Sequence, residues 1–309
     1  MLQIRNLSIS FTMYDVGLRQ RQVTPITQLD LDVQAGELIA VIGASGSGKS
    51  LLAHAVLGIL PHNATVTGDM IYKGSQLTTE KQRQWRGSEI ALIPQSVASL
   101  DPLQAVGSQV QRAAVLSGIP RDQARDAQKG TFDRYQLGAQ VGKLLPHQIS
   151  GGMARRVLLA TATIGNANLL IADEPTPGLH QDIVEETLQH LRELADRGKG
   201  VILITHDIEA ALTVSDKIAV FYAGTTVETA LASDFTGKGE PLRHPYTKAL
   251  WHALPRNGFQ PLPGVQPNPD ALPTGCLFTD RCPIVTPECH EERPENRPLR
   301  DGFVRCIHA

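Results

Sequence analysis

Three observations predict a mostly parallel α/β fold for this chain of 309 residues. The continuously apolar run Leu38-Ile39-Ala40-Val41-Ile42 feeds a glycine-rich loop and then a helix-like stretch, Leu51 to Leu60. A second unbroken apolar run, Leu169-Leu170-Ile171-Ala172, ends in Asp173-Glu174. Such runs suit strands buried on both faces of a sheet. Finally, strand-like and helix-like segments alternate along the middle of the chain, which is the βαβ order of a parallel sheet.

Bulk properties narrow the partners. A chain of this length can bury a full core and suggests two domains, or one with an appendage. With a net charge of −2 it has no basic excess, so nucleic acid and anionic lipid are not expected partners on bulk charge. The start, Met1-Leu2-Gln3-Ile4-Arg5, lacks the pattern of a secretory signal, and no apolar run approaches a membrane span. A cytosolic chain, held to a membrane only through a partner, is the expectation.

In order along the chain, Leu2 to Ser10 and Val23 to Val33 alternate apolar and polar residues and predict antiparallel strands, separated by a polar excursion from Thr12 to Gln22. Phe11, or less plausibly Tyr14, is a candidate to stack on an adenine base; a core role for Phe11 is the competing reading. Val66 to Lys73 and Glu89 to Ile93 predict strands joined by a polar linker, the second running into Pro94-Gln95. From Ala105 to His147 the composition turns to Gln, Arg and Ala at helical spacing, an inserted helical subdomain. Ser150 is placed to cap a helix running from Ala154 to Gly165. Gln181 to Arg197 predicts an amphipathic helix, Gly200 to Thr205 a strand delivering His206-Asp207, and Ile208 to Val214 a short helix. Lys217 to Tyr222 and Thr225 to Thr229 predict a hairpin about Ala223-Gly224.

Beyond about Ser233 the character changes. Twelve of the 20 prolines lie between Pro241 and Pro298, with one helix expected from Tyr246 to Ala253, and all four cysteines, Cys276, Cys282, Cys289 and Cys306, lie in the last 34 residues. A tail this short needs a staple or a surface to lie on. In a reducing compartment, clustered cysteines argue for a metal site over disulfides.

The loop Gly43-Ala44-Ser45-Gly46-Ser47-Gly48-Lys49-Ser50 carries the central chemistry. Its glycines let backbone N–H groups turn toward phosphate oxygens, Lys49 reaches the β/γ-phosphates, and the Ser50 hydroxyl suits Mg²⁺; Leu51 continues the helix whose N-terminus adds partial positive charge. Asp173 is suited to hold Mg²⁺ through water, and Glu174 to polarise the attacking water as general base. Gln95, after a strand, can contact Mg²⁺ or that water, and His206, after another, can donate a hydrogen bond to the γ-phosphate. Ser150-Gly151-Gly152 is a second glycine-bearing helix start. One phosphate loop already satisfies a nucleotide within a subunit, so this second site suits the γ-phosphate of an ATP held by another subunit.

These residues, in this order, resemble the ATP-binding cassette family: Walker A at Gly43 to Ser50, Q-loop at Gln95, signature at Ile149 to Met153, Walker B at Leu169 to Glu174, and switch histidine at His206. The resemblance covers about residues 1–230. It implies a P-loop NTPase, RecA-like, with an antiparallel β subdomain, a helical subdomain at about 96–155, and two nucleotides sandwiched head to tail between two cassettes. On this reading residues 1–233 form the ATP-binding domain and 234–309 a small Cys-containing C-terminal extension.

His244-Pro245-Tyr246-Thr247-Lys248-Ala249-Leu250, Leu272 to Phe278 and Arg281-Cys282-Pro283 resemble the extension of ATPases from the oligopeptide, dipeptide and nickel import branch. That resemblance implies an ATPase subunit at the cytoplasmic face of the inner membrane, energising uptake of peptides or metal chelates. Its implied partners are a second related ATPase subunit, two permeases and an extracytoplasmic binding protein. It also implies a [4Fe–4S] cluster on Cys276, Cys282, Cys289 and Cys306; Zn²⁺ is the competitor, though the close CxxC pairs usual for zinc are absent. Two positions depart from the family pattern. Met153 replaces the usual signature Gln, a variant that also resembles one subunit of the peptide branch. In Thr176-Pro177-Gly178-Leu179-His180, His180 replaces an Asp expected at the dimer interface, so the two ATP sites are expected to be unequal. A soluble non-transport cassette ATPase and a mainly regulatory nucleotide-binding subunit are the alternatives.

Overall fold

The computed structural model describes residues 1–14 and 19–309. In chain order the elements are β1 (Leu2–Tyr14), β2 (Gln20–Val33), β3 (Leu38–Gly43), α1 (Lys49–Leu57), β4 (Ala64–Tyr72), β5 (Ser75–Gln76), α2 (Thr79–Trp85) and β6 (Ile90–Ile93). There follow α3 (Val106–Leu116), α4 (Ala124–Arg134), α5 (Gly151–Thr163), β7 (Leu169–Asp173), α6 (Gln181–Asp196), β8 (Gly200–Ile204), α7 (Ile208–Val214), β9 (Lys217–Tyr222) and β10 (Thr225–Leu231). The tail adds α8 (Pro245–His252), α9 (Glu288–Glu291), β11 (Arg297–Leu299) and β12 (Gly302–Val304). The chain divides into two units.

The first unit holds residues 1–33, 39–77 and 206–309. In it β1 pairs antiparallel with both β2 and β4, and β5 closes this sheet beyond β4. Side chains of alternating polarity put Leu2, Ile4, Leu7 and Ile9 in the core. The predicted polar excursion between the first two strands is instead mostly ladder: Thr12 pairs with Gln22, Met13 with Arg21 and Tyr14 with Gln20. Backbone pairing continues a hairpin whether or not its faces are apolar, so side-chain polarity stopped marking the strands before they ended; residues 15–18 of that excursion lie outside the described residues. A second, mixed sheet in this unit joins β3 parallel to β9, then β9, β10, β12 and β11 antiparallel in turn. The predicted hairpin about Ala223-Gly224 is present, both residues having positive φ (47° and 81°).

The tail finds its surface by adding β12 and β11 to the edge of β10 and by packing aromatic rings. Tyr222, Tyr246 and Phe278 are buried and mutually in contact, with ring centroids 4.5 to 5.5 Å apart. At its end Arg305, 6% exposed, binds Asp30 of β2 at 2.7 Å.

The second unit, residues 34–38 and 78–205, is built on three parallel strands in which β7 lies between β6 and β8. Every residue of β7 and β8 is buried, as the unbroken apolar runs require. The predicted inserted segment forms α3 and α4, while the stretch read as a polar linker contains α2, capped by Thr78 accepting from the Lys81 N–H. The seven residues of α2 include one apolar side chain, Trp85, and bury Gln82, so no apolar period sets them apart from a linker. Ser150 caps α5, its hydroxyl accepting from the Met153 N–H at 3.3 Å, so the helix begins at Gly151, three residues earlier than its apolar periodicity.

Candidate nucleotide site

The phosphate loop lies in the first unit between β3 and α1. Gly43 follows five fully buried strand residues, and a Cβ there would run into the Phe221 carbonyl, so no larger residue fits where β3 meets β9. Gly48, at φ 95°, is the residue before α1, and a Cβ there would lie 2.9 Å from Ile26. Between them Ala44, Ser45 and Gly46 are exposed while Ser47 is buried, its hydroxyl without a hydrogen-bond partner. Lys49 folds back so that its ammonium donates to the Gly43 and Ala44 carbonyls at 2.8 and 3.0 Å, poised over the loop's exposed face. Ser50 and Leu51 occupy the first turn of α1, both half-buried. A buried strand, a glycine-rich loop with three exposed residues and a helix N-terminus with a lysine together have the make-up of an anion cradle.

Two further candidates belong to this unit. Phe11 is half-buried on β1, opposite Val23 and Ala64, with the ring on a sheet rather than in a loop. His206 is exposed immediately after Thr205, and the next residue, Asp207, caps α7 by accepting from the Ala210 N–H at 2.9 Å. That cap fixes the chain direction just past the histidine.

The carboxylates lie in the second unit. Asp173 ends β7 at 3% exposure and Glu174 follows at 8%. Glu174 has a left-handed backbone, φ 49°, unusual for a residue with a side chain. Its N–H donates to the Ile204 carbonyl at 2.9 Å and its carbonyl accepts from Arg155 Nη1 at 2.5 Å. Gln95 is exposed just past β6, and its carbonyl accepts from Arg155 Nη2 at 3.1 Å. Ser150, Gly151 and Gly152 head α5, with Gly151 exposed. Within this unit the segment after β6, the head of α5 and the end of β7 are thus joined through one arginine. His180 precedes α6 and makes no side-chain cap to it.

Sequence reasoning missed two residues. Arg155 carried only a weak signal, the arginine pair after the signature. Tyr246 carried none: burial raises its phenol pKa, while a backbone hydrogen bond from Ala44 opposes that rise. The extension therefore reaches Ala44, the first exposed residue of the glycine-rich loop, from 202 positions further along the chain.

All four cysteines are free and line one small cavity with His244 and His308. Burial is the main cause that pushes the Cys276 thiol up to about 11, with the other three thiols adding to it. Cys289 Sγ lies 3.4 Å from His308 Nε2. Among the described residues, however, no three such side chains come together as a set able to hold a metal. The tail gathers four sulfur donors around one space without closing them into a ligand shell.

Residues 26–177 match the ABC transporter family, and residues 227–289 match the oligopeptide/dipeptide transporter C-terminal region. The dipeptide transport ATP-binding protein DppD of Escherichia coli is 33% identical, with 100% of this chain and 96% of that protein aligned. The chain belongs to the ABC transporter ATP-binding proteins of the oligopeptide/dipeptide type. It is accordingly an ATP-binding ATPase subunit, with the cassette's α/β fold, antiparallel β subdomain and mixed sheet. OppD of Salmonella typhimurium, an oligopeptide transport ATP-binding protein, is 33% identical over 95% of this chain and 89% of its own. AppD of Bacillus subtilis, of the same description, is 31% identical over 99% and 96%. An ATP-binding cassette solved as a dimer in a post-hydrolysis state with ADP and Pi superposes with a TM-score of 0.66 at 23% identity, covering 75% of this chain and 99% of that one. No helix among the described residues of the cassette is long and apolar enough to cross a membrane.

Proposed function

We propose that this cassette hydrolyses ATP to drive uptake of dipeptides or oligopeptides through partner permeases. The observation that carries the reading is the intact phosphate cradle on a chain whose tail matches the peptide-transporter extension. Residues 1–233 form the ATP-binding domain and 234–309 the extension. The loop Gly43 to Ser50 binds the phosphates, with Phe11 on the adenine side. Lys49 exchanges its two carbonyl partners for phosphate oxygens. The oxygen donors of Ser50, Gln95 and Asp173 are of the kind Mg²⁺ takes, and the ion supplies charge neutralisation on the phosphates. Glu174 takes the proton of the attacking water, His206 donates to the γ-phosphate, and Ser150, Gly151 and Gly152 receive the nucleotide of a second, related cassette.

The implied assembly contains that second cassette, two permeases and an extracytoplasmic binding protein, and sits at the inner face of the membrane. The relatives, dipeptide and oligopeptide transport ATP-binding proteins, favour peptides over nickel or metal chelates. His180 makes the two ATP sites unequal. A [4Fe–4S] cluster on Cys276, Cys282, Cys289 and Cys306, or Zn²⁺ in its place, is supported by their shared cavity and opposed by the absence of a closed ligand set among the described residues. Iron, sulfide and zinc analysis of anaerobically purified protein decides it, and a metal-free protein of full ATPase activity removes it.

The test of function is uptake of labelled dipeptides and oligopeptides by cells carrying the assembled transporter. Lys49→Ala and Glu174→Gln are expected to abolish it, loss of a general base costing about 10² to 10⁴ in rate. Uptake at the wild-type rate by the Glu174→Gln assembly refutes the assignment of the base, and nickel uptake without peptide uptake refutes the substrate.

A further inference from the structure

Arg155 has no part in the chemistry above, yet its guanidinium holds two of that chemistry's residues at once. It projects from α5, five positions beyond the Ser150 cap, and donates from Nη1 to the Glu174 carbonyl and from Nη2 to the Gln95 carbonyl. Those carbonyls lie past the ends of neighbouring parallel strands, β7 and β6, whose last residues paired with each other are Ala172 and Ile93. A planar fork with separate N–H groups can bridge two strand exits in this way, whereas an ammonium presents one point charge.

The contact also explains how Glu174 keeps its left-handed backbone. Such a conformation persists where the surroundings over-determine it. Here the residue's N–H is tied to β8 through Ile204 and its carbonyl to Arg155 on α5. Burial lowers the Arg155 pKa and the Glu174 charge opposes that, so the guanidinium lies within electrostatic reach of the carboxylate.

We propose that Arg155 is a positioning residue for ATP hydrolysis, locking Glu174 and Gln95 to each other and to the helix headed by Ser150, Gly151 and Gly152. Any displacement of that helix is then passed directly to the water-activating carboxylate and to the Q-loop. The proposal rests on the reading of Glu174 as general base.

The experiment compares the full-length wild-type chain with Arg155→Ala, Arg155→Lys and Glu174→Gln, measuring kcat and KM for Mg-ATP, affinity for a non-hydrolysable ATP analogue, and the melting midpoint. Loss of two charge-assisted hydrogen bonds at the strand ends is expected to lower kcat by roughly tenfold or more in Arg155→Ala. Analogue affinity and KM are expected to stay within about twofold of wild type, since the phosphate loop is untouched. Arg155→Lys, which can satisfy one carbonyl, is expected to fall between. An Arg155→Ala chain with undiminished kcat, beside an inactive Glu174→Gln chain, overturns the positioning role alone. Parallel loss of kcat, analogue affinity and melting midpoint in both Arg155 variants reduces the residue to a fold contact and also overturns it. An active Glu174→Gln chain overturns both this proposal and the general-base reading beneath it.

Discussion

Replacing Arg305 by Met removes the ionic anchor of the tail, and the cost can be worked from its partners. The guanidinium, 6% exposed, donates to Asp30 Oδ2 at 2.7 Å and to the Gln28 and Pro294 carbonyls at 3.0 Å each. Burial pushes the Arg305 pKa down, and the Asp30 charge is what holds the proton in place. Methionine preserves much of the volume but leaves the Asp30 carboxylate, in a residue 8% exposed, with the Asn6 N–H at 2.8 Å as its remaining partner. Breaking a buried pair from one side costs about 3–5 kcal/mol, far more than the net worth of the pair. Asp30→Asn, which removes the charge and keeps the shape, leaves Arg305 uncompensated and is expected to cost about 2–4 kcal/mol. The double variant strands neither charge, so its cost is expected to fall short of the sum by about 1–3 kcal/mol. Urea unfolding of the full chain, followed by fluorescence, gives all four corners of the cycle. Because β12 precedes Arg305, limited proteolysis of the tail should accelerate in the single variants. Strictly additive costs, or an Arg305→Met chain within about 0.5 kcal/mol of wild type, refute the view that this pair holds the tail.

Gly43→Ala should abolish ATP binding, because its Cβ meets the Phe221 carbonyl and the loop must shift; equilibrium binding of a fluorescent nucleotide checks it. Acid should destabilise the second unit through His190, which burial holds at about 4 and which contacts the Tyr135 hydroxyl at 2.6 Å. Its folded pKa lies below the unfolded value near 6.5, so the unfolded chain binds the proton first. Stability is therefore full above pH 6.5 and is lost as pH falls toward 4, by up to about 3 kcal/mol; denaturant midpoints across that window, flattened in His190→Phe, test it. Ser150→Ala removes the α5 cap and should cost about 1 kcal/mol of stability, read by thermal melting.

The strands and helices around the candidate site were legible because each has a local cause. β7 and β8 announce themselves as unbroken apolar runs bounded by polar residues, and α5 by Ser150, placed as its cap. The far ends of β1 and β2 were not legible, since their side chains are polar on a hairpin held by backbone pairing. Nor were β11 and β12, three residues each, which exist only because β10 offers an edge.

What the order of residues shows alone is a set of patterns carried by neighbours along the chain: a glycine loop between strand and helix, two carboxylates at a strand end, a capped glycine pair. Those patterns need only a few consecutive backbone positions to make sense. Tertiary structure decided the rest: Arg155 bridging the Gln95 and Glu174 carbonyls, Tyr246 reaching Ala44, Arg305 paired with Asp30, and four cysteines around one cavity. Each joins residues far apart in the chain, and a hydrogen bond or ion pair of that kind leaves no period, spacing or composition behind it to be read.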